Sequence, residues 1–441
     1  MKHIITILTL FFFLHVLIAQ EQSDEYSKAI SDIYSTNNSY FSFNEDEDII
    51  DITSPHISLL KVFIDLEKIE SSGARSFFGK KIKDNMHWTG VFDVIDDKMQ
   101  ADYVLSVYQG FFSDFYIEFN NFELNGIFKE KLKYFSDNAA KTEQSIIQAV
   151  NKIVLLLTGE ASSLGGNLLY LEKKNGQLSK DIIMTDTHNF FSKRLVSNGM
   201  LNFNPRITSS GEKFSYITLT PNGYVINIFD FKLDRSFTLT KTHDLISGGS
   251  WLEGGKRLAV TISSKGNSDV YILDAENGKI IEKLTSLTSI ENSPSVASDG
   301  SIAFVSDKSG SPQIYLYEGK KNLMNRLTFK GKYNTEPRWN LKNDIILYSS
   351  FISGSMELML YNFINDQTSR ITKSGKSAEQ ASWSPDGRRI IYSRKFSDQQ
   401  KIYMINLDAR YQRRLSFTKN DVIESDPEWF PIAWNQSIGS E

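Results

Sequence analysis

The chain has 441 residues, of which 40% are apolar and 12% aromatic, and this length exceeds that of an ordinary single domain. Its 49 basic and 53 acidic residues give a formal net charge of −4, so the basic surplus typical of nucleic-acid-binding proteins is missing. The sequence contains no cysteine, which excludes disulfides, thiolate metal sites and lipidation at cysteine. These features favour two domains with a sizeable apolar core.

Residues 1–19 have the pattern of a secretory signal peptide. Lys2 and His3 precede an apolar run from Ile4 to Ile18, and Ala19 is a small residue suited to cleavage. A retained membrane anchor is the alternative interpretation, although the run is short for a spanning helix. Residues 20–48 then form an acidic flexible leader, with eight carboxylates against one lysine, for which a docking arm is the alternative.

Residues 49–162 are predicted to form a small α/β domain. Helical spacing of apolar residues around Phe78 and from Thr142 to Leu157 predicts two helices. Alternating or clustered apolar residues predict strands between them. These strands are Ile57–Ile64, Val91–Ile95, Tyr103–Tyr108 and Phe115–Phe122.

A repeat of 43 to 46 residues dominates residues 163–441. It is aligned on a turn that is complete in Ser384-Pro385-Asp386-Gly387, where each residue type favours tight backbone turns. The anchor residues of the repeats are Ile207, Trp251, Val296, Trp339, Trp383 and Trp429. A period of this length is typical of a four-stranded β-propeller blade.

The strand count predicts six blades, with both ends of the ring sharing one of them. Five repeats are complete, whereas residues 166–197 supply three strands without a first one. Pairing Ser425–Phe430 with those strands completes a sixth blade and removes two exposed sheet edges. We therefore predict an all-β six-bladed β-propeller, closed by the C-terminal strand and preceded by the small α/β domain.

The sequence offers few candidates for catalysis or metal binding. His56, His87, His188 and His243 show no metal-ligand spacing. The nearest match to a nucleophile elbow, residues 161–165, lacks its first glycine and precedes a strand rather than a helix. Phosphate-binding and dinucleotide-binding fingerprints are missing. We therefore predict no enzyme activity, no catalytic residue, no cofactor and no metal.

The residues resemble the TolB family, the exported propeller proteins of the Tol–Pal envelope system of Gram-negative bacteria. The resemblance covers Ile49 to Pro431 and is most specific in residues 293–315, 331–339 and 425–429. Asp51-Ile52-Thr53 is similar to the opening strand of the family. The resemblance implies a non-enzymatic periplasmic adaptor that supports outer-membrane integrity and envelope constriction at cell division. It also implies a monomer that meets membranes only through its partners.

The resemblance implies two protein partners and no nucleic acid. TolB proteins bind the peptidoglycan-associated lipoprotein Pal through the propeller and TolA through an N-terminal segment. The implied TolA-binding residues are Ile49, Ile50, Asp51, Ile52 and Thr53. Loops that enter the first strands of a propeller share one mouth with those joining second and third strands, and we expect Pal there. The expected contact residues are Asn204, Gly248, Asn292, Lys308, Tyr333, Thr335, Glu336, Gln380 and Asp426.

Two other functions remain open. An exported propeller hydrolase would need a catalytic domain in addition to the ring, as in the prolyl peptidases. A small-ligand-binding propeller would need a solvent-lined channel with convergent charged side chains.

Overall fold

The computed structural model describes residues 50–51, 59–110, 114–121 and 126–431, apart from residues 287, 320, 322, 341, 343, 374, 398, 416 and 417. The predicted signal peptide and leader lie outside these residues, as does His56. Neither of the α-helices in the described ranges is long and apolar enough to cross a membrane.

A five-stranded mixed sheet with two helices forms the N-terminal α/β domain. Its strands are β2 (Leu60–Asp65), β3 (Phe92–Ile95), β4 (Tyr103–Gln109), β5 (Phe115–Asn121) and β6 (Phe128–Leu132). Strand β2 pairs in parallel with β3 and β4, and β5 and β6 continue the sheet antiparallel. The sequence pattern did not predict β6, because its Phe-Lys-Glu-Lys-Leu segment is rich in charge. The helices are α1 (Ser72–Trp88), between β2 and β3, and α2 (Ala139–Thr158), after β6.

Local capping explains where the two helices begin and end. The Ser71 hydroxyl accepts a hydrogen bond from the Ala74 N–H at 3.3 Å, which caps α1. Asn138 caps α2 through the Lys141 N–H at 3.0 Å, and Gly159 ends this helix with a φ of 70°. The apolar face of α2 packs into the domain core as its spacing predicts.

Four-stranded antiparallel sheets form the first three blades of the ring. Blade 1 comprises β10 (Leu201–Ile207), β11 (Lys213–Thr220), β12 (Gly223–Asp230) and β13 (Arg235–Thr242). Blade 2 comprises β14 (Leu245–Leu252), β15 (Arg257–Ser264), β16 (Asn267–Asp274) and β17 (Ile280–Lys283). Blade 3 comprises β18 (Glu291–Val296), β19 (Ile302–Ser306), β20 (Gln313–Glu318) and β21 (Leu323–Arg326).

The other three blades complete the ring, and blade 6 joins its two ends. Blade 4 comprises β22 (Asn334–Trp339), β23 (Ile345–Ile352), β24 (Ser355–Asn362) and β25 (Gln367–Arg370). Blade 5 comprises β26 (Ala378–Trp383), β27 (Arg389–Phe396), β28 (Gln399–Asn406) and β29 (Gln412–Arg414). Blade 6 comprises β30 (Val422–Trp429), β7 (Asn167–Lys174), β8 (Asp181–Asp186) and β9 (Ser192–Val196). This arrangement confirms the predicted fold class. In it, β30 pairs with β7 and joins the two ends of the ring.

A short strand from the N-terminal segment adds to the outside of blade 4. Strand β1 (Ile50–Asp51) pairs in parallel with β25, so that Ile50 lies opposite Ser369 and Asp51 opposite Arg370. Blade 4 therefore has five strands instead of four.

A repeated threonine joins the third and fourth strands of blades 2 to 4. The hydroxyls of Thr285, Thr328 and Thr372 each accept a hydrogen bond at 2.9 Å from a backbone N–H in the third strand. Each hydroxyl also donates to a buried polar side chain of the same strand, which satisfies that group away from water. In the sequence each of these threonines follows a leucine or isoleucine, as Leu284-Thr285, Leu327-Thr328 and Ile371-Thr372, so this recurring pair has a local hydrogen-bonding role.

The two faces of the ring differ in what they contact. The connections between first and second strands, and between third and fourth strands, lie on the face that meets the α/β domain, which we call the domain face. There, Asn406 Nδ2 donates to the His87 carbonyl at 2.8 Å, and the Tyr411 hydroxyl lies 3.0 Å from His87 Nε2. The α/β core continues into blades 5 and 6 through Met404 and Trp429. The remaining connections form the opposite face, which we call the far mouth.

Candidate functional site

Each inner strand of the ring contains a β-bulge near the far mouth. The register of every first strand shifts at this point, and in each blade one residue there has a positive φ between 50° and 71°. Asparagine, aspartate and glycine adopt this left-handed conformation most readily, and other residues do so at a cost of about 1 kcal/mol or more. The six bulge residues are Asn204, Gly248, Ser293, Glu336, Gln380 and Asp426.

Side chains of these bulge residues hold the backbone of the next blade. Glu336 Oε2 accepts from the Gln380 N–H at 2.7 Å, and Gln380 Oε1 accepts from the Asp426 N–H at 3.1 Å. Asp426 Oδ2 accepts from the Asn204 N–H at 2.9 Å, and Asn204 Oδ1 accepts from the Gly248 N–H at 3.1 Å. Four consecutive links therefore run from blade 4 through blades 5, 6 and 1 to blade 2. We call the six bulge residues together the bulge ring. Its four links pass through blade 6, where the two ends of the ring meet.

The bulge ring contains five of the nine residues expected at the mouth. Asn204, Gly248, Glu336, Gln380 and Asp426 occupy equivalent positions in it. Apart from Gly248, which has no side chain, each accepts a hydrogen bond from a backbone N–H of the next blade. These bonds fix the positions of the blades at the rim.

Ser293 is the ring member that sequence reasoning missed. The expectation named its neighbour Asn292 instead, which pairs with Val305 just before the bulge. A signal was present, because a proline follows the bulge residue in four of the six blades, at Pro205, Pro294, Pro337 and Pro427.

The other expected residues lie beside the ring or in nearby connections. Thr335 precedes the bulge of blade 4 and pairs with Ser349. Tyr333 is half-buried, and its carbonyl accepts from the Phe351 N–H at 2.9 Å. Lys308 is exposed between β19 and β20. Of the segment assigned to TolA, Ile50 and Asp51 form β1, whereas Ile49, Ile52 and Thr53 lie outside the described residues.

Charged side chains converge in the channel two residues beyond the bulges. Arg206 Nη1 lies 3.2 Å from Asp426 Oδ1 and 3.8 Å from Glu428 Oε2. Arg338 Nη2 lies 3.8 Å from the same Glu428 oxygen. Since blade 5 separates the strand of Arg338 from that of Glu428, this contact crosses the channel. The charges that a small-ligand-binding channel would need are thus present, but they are paired with one another.

Burial shifts the protonation of this cluster. Burial, reinforced by the nearby Glu379 carboxylate, raises the pKa of Glu336 to about 7. Burial also lowers the pKa of Arg338, with a further contribution from the charge of Arg206. The pKa of Arg206 is raised, because the attraction of Asp426 and Glu428 outweighs the opposing effect of burial. The rim therefore holds one carboxyl group that titrates near neutral pH.

The serines of the weak nucleophile-elbow match have structural partners. The Ser162 hydroxyl accepts from the Leu164 N–H at 3.1 Å, and the Ser163 hydroxyl accepts from the Asp386 N–H at 3.1 Å. Within the described part of the chain, no group of three or more His, Cys, Asp or Glu side chains is arranged to hold a metal ion.

Comparisons with known proteins match the chain to one family of β-propeller proteins. The family model of the TolB β-propeller domain matches residues 154–433. A TolB homolog from Chlorobium luteolum is 27% identical over 167 residues, which are 38% of this chain and 37% of that protein. The Tol-Pal system protein TolB of Helicobacter pylori is 25% identical over 170 residues, 38% of this chain and 40% of its own. The matched regions thus span about two fifths of these relatives.

Solved structures share the architecture. The crystal structure of TolB from Acinetobacter baumannii superposes with a TM-score of 0.68 at 19% identity, covering 87% of this chain and 99% of that one. Hydrazine synthase from Kuenenia stuttgartiensis matches with a TM-score of 0.52 at 13% identity, over 61% of this chain and 47% of its own. At these identities the likeness concerns the fold. Because the family model covers more than half of the chain, the protein belongs to the family of the TolB β-propeller domain.

Proposed function

We propose that this protein is a non-enzymatic periplasmic adaptor of a Tol–Pal envelope system. In this proposal the far mouth binds the peptidoglycan-associated lipoprotein Pal, and residues 49–53 bind TolA. The adaptor would thereby support outer-membrane integrity and envelope constriction at cell division. The names of the relatives, which include Tol-Pal system proteins, support this assignment.

The single observation that carries the proposal is that the α/β domain covers one face of the ring and leaves the other face accessible. The α/β domain occupies the domain face through contacts such as Asn406 with His87. The residues expected to bind Pal gather at the opposite end of the inner strands, where the bulge ring links the blades. A rim held in this way is organised before a partner arrives, which lowers the entropic cost of binding.

The N-terminal segment suits a strand-addition role. Within the described residues, β1 pairs with β25 through Ile50 and Asp51, and a two-residue pairing contributes little stability. An extended segment of this kind can leave one sheet edge and add to another. We propose that residues 49–53 exchange between blade 4 and TolA.

Titration calorimetry with a soluble Pal domain tests the first interaction. Thr335→Lys places a charge beside the bulge of blade 4 and is expected to weaken binding at least tenfold, about 1.4 kcal/mol. Ser298→Lys is the matched control, because Ser298 is exposed on the domain face of blade 3. Equal affinities for the two variants would place the Pal site elsewhere.

A deletion of residues 49–53 tests the second interaction. We expect TolA binding to be lost while the melting temperature changes by less than about 2 °C, because the short strand contributes little to the fold. The competing view is that Ile50 and Ile52 stabilise the protein by packing. A deletion that lowers the melting temperature and leaves TolA binding intact would support that view.

A further inference from the structure

The connections of the far mouth carry a basic surplus that the rest of the ring lacks. By sequence they hold eight lysines and four aspartates, one of which, Asp398, lies outside the described residues. The connections of the domain face hold eight basic and nine acidic residues. The surplus is therefore a property of one mouth in a chain whose overall charge is −4.

Five of the lysines cluster on three neighbouring connections of blades 3, 4 and 5. All five are exposed, and we call them the lysine arc: Lys308, Lys330, Lys332, Lys373 and Lys376. Hydrogen bonds fix the positions of these connections. The Asn334 N–H donates to the Pro312 carbonyl at 3.0 Å, which holds the first two connections together. The Met356 N–H of β24 donates to the Ser377 hydroxyl at 3.3 Å, which holds the third connection against blade 4.

An apolar ring lies within the lysine arc. Phe329 is 73% exposed, one residue before Lys330, and the Arg326 guanidinium lies 4.9 Å from its centroid. An exposed aromatic side chain among cations gives a surface that can hold an extended acidic segment containing aromatic residues.

Such a segment exists in the same chain. Residues 20–48 carry eight carboxylates against one lysine, end in Glu45-Asp46-Glu47-Asp48, and contain aromatic residues at Tyr40, Phe41 and Phe43. The chain after this leader reaches the ring at Ile50, which lies opposite Ser369 on the outer edge of blade 4.

The lysine arc begins close to that attachment point. Lys373 follows Ser369 by four residues, or about 13 Å of extended chain. The leader of 29 residues has a contour length of about 95 Å, so the carboxylates of its first half, from Glu21 to Asp32, can reach every lysine of the arc. Glu45–Asp48 lie two to five residues before Ile50, so their reach is limited to about 17 Å around the attachment point.

We propose that the acidic leader, residues 20–48, binds the lysine arc of its own propeller and competes there with the partner of the far mouth. The competition rests on the proposed function, whereas the binding of the leader does not. Tethering gives the leader an effective concentration in the millimolar range, which compensates for the weakness of each exposed ion pair. Salt screens such pairs, so the bound leader is displaceable.

Zero-length carbodiimide cross-linking of the full chain tests the binding directly. At low salt we expect amide links from the leader carboxylates to Lys308, Lys330, Lys332, Lys373 or Lys376, reduced at least fivefold in 0.5 M salt. Lys256, Lys279 and Lys321 are internal controls, because they are exposed on the domain face. Links to these controls at equal yield, or links only between two chains, would overturn the proposal.

Charge-neutral variants test the competition with poly-L-glutamate as the acidic probe. The variant Glu45→Gln, Asp46→Asn, Glu47→Gln, Asp48→Asn should bind the probe at least threefold more tightly than the unmodified chain. Lys373→Gln with Lys376→Gln should weaken probe binding and leader cross-links together. Probe affinity that is unchanged in the leader variant refutes the competition. If the leader cross-links form but the protein does not bind Pal, the proposed function is refuted and the binding of the leader to the lysine arc stands.

Discussion

Ser163 and Asp386 exchange two hydrogen bonds although 223 residues separate them in the chain. The Ser163 N–H donates to Asp386 Oδ2 at 2.7 Å, and the Asp386 N–H donates to the Ser163 hydroxyl at 3.1 Å. Asp386 also accepts from the Ser384 hydroxyl at 2.6 Å and pairs with Arg389 at 2.7 Å. The turn of blade 5 therefore anchors the segment that joins the α/β domain to the propeller.

Asp386→Asn is expected to destabilise the protein by about 3 kcal/mol. The substitution leaves the Arg389 guanidinium buried without its counter-charge, which is among the costlier single changes in a protein interior. Chemical denaturation at pH 7 measures the loss. Asp299→Asn is the matched control, because Asp299 holds the equivalent turn position in blade 3 and is exposed. A similar loss in both variants would assign the effect to turn geometry alone.

The same carboxylate predicts a limit of acid stability. Burial alone would raise the pKa of Asp386, but Arg389 and the surrounding hydrogen bonds lower it to about 2. A carboxylate with a lowered folded-state pKa stabilises the fold above its unfolded pKa of about 4, and this contribution disappears as the pH falls towards 2. Stability of the unmodified chain should therefore fall between pH 4 and pH 2 more steeply than that of Asp386→Asn.

Glu336→Gln is expected to stabilise the ring above neutral pH. Because the folded-state pKa of Glu336 is raised to about 7, its ionised form destabilises the fold above that pH. This destabilisation decreases as the pH falls to about 4.5. Glutamine keeps an oxygen that can accept from the Gln380 N–H without the charge. We expect the variant to gain about 2–3 kcal/mol over the unmodified chain at pH 8 and little at pH 5. Equal differences at both pH values, measured by urea denaturation, would contradict the assignment.

Lys401→Met is expected to destabilise the attachment of β30, the strand that closes the ring. The fully buried Lys401 ammonium donates to the Thr418 hydroxyl at 2.8 Å and to the carbonyls of Lys419 and Val422 at 2.7 Å each, just before and at the start of β30. The substitution leaves these buried acceptors without their hydrogen-bond donor and Glu424 without its counter-charge, which costs about 3–5 kcal/mol of stability. Lys279→Met, on the exposed domain face, should cost less than about 0.5 kcal/mol. Thermal melts distinguish the two.

Truncation after Asp421 is expected to abolish cooperative unfolding of the propeller. It removes β30, whose pairing with β7 closes the ring, and exposes the β7 edge of blade 6. Truncation after Pro431 is the control, since it retains β30. Calorimetric melts with the same cooperativity for both truncated proteins would show that the ring does not depend on this strand.

Periodic features of the fold were predictable from sequence, and long-range features were not. The anchors from Ile207 to Trp429 predicted the blades because each one lies at or next to the end of an inner strand. The closure followed from counting strands. By contrast, the pairing of Ser163 with Asp386 and the convergence of Arg338 on Glu428 join distant segments, and neither local pattern nor spacing encodes them.

The candidate mouth was predictable only in outline. Blade geometry brought Asn204, Gln380 and Asp426 to one rim, but it did not reveal that their side chains are engaged with the backbone of the next blade. Serine has no marked preference for the positive φ of Ser293, so the only local signal for this bulge residue was the proline that follows it.

The contact between Arg338 and Glu428 links two non-adjacent blades of the ring across the channel. Around the circumference, blade 4 reaches blade 6 only through blade 5, whereas this ion pair connects the two directly. A ligand that moves the inner strand of blade 4 should therefore also act on β30, the strand that closes the ring. We accordingly expect binding at the rim and the stability of the ring closure to depend on each other.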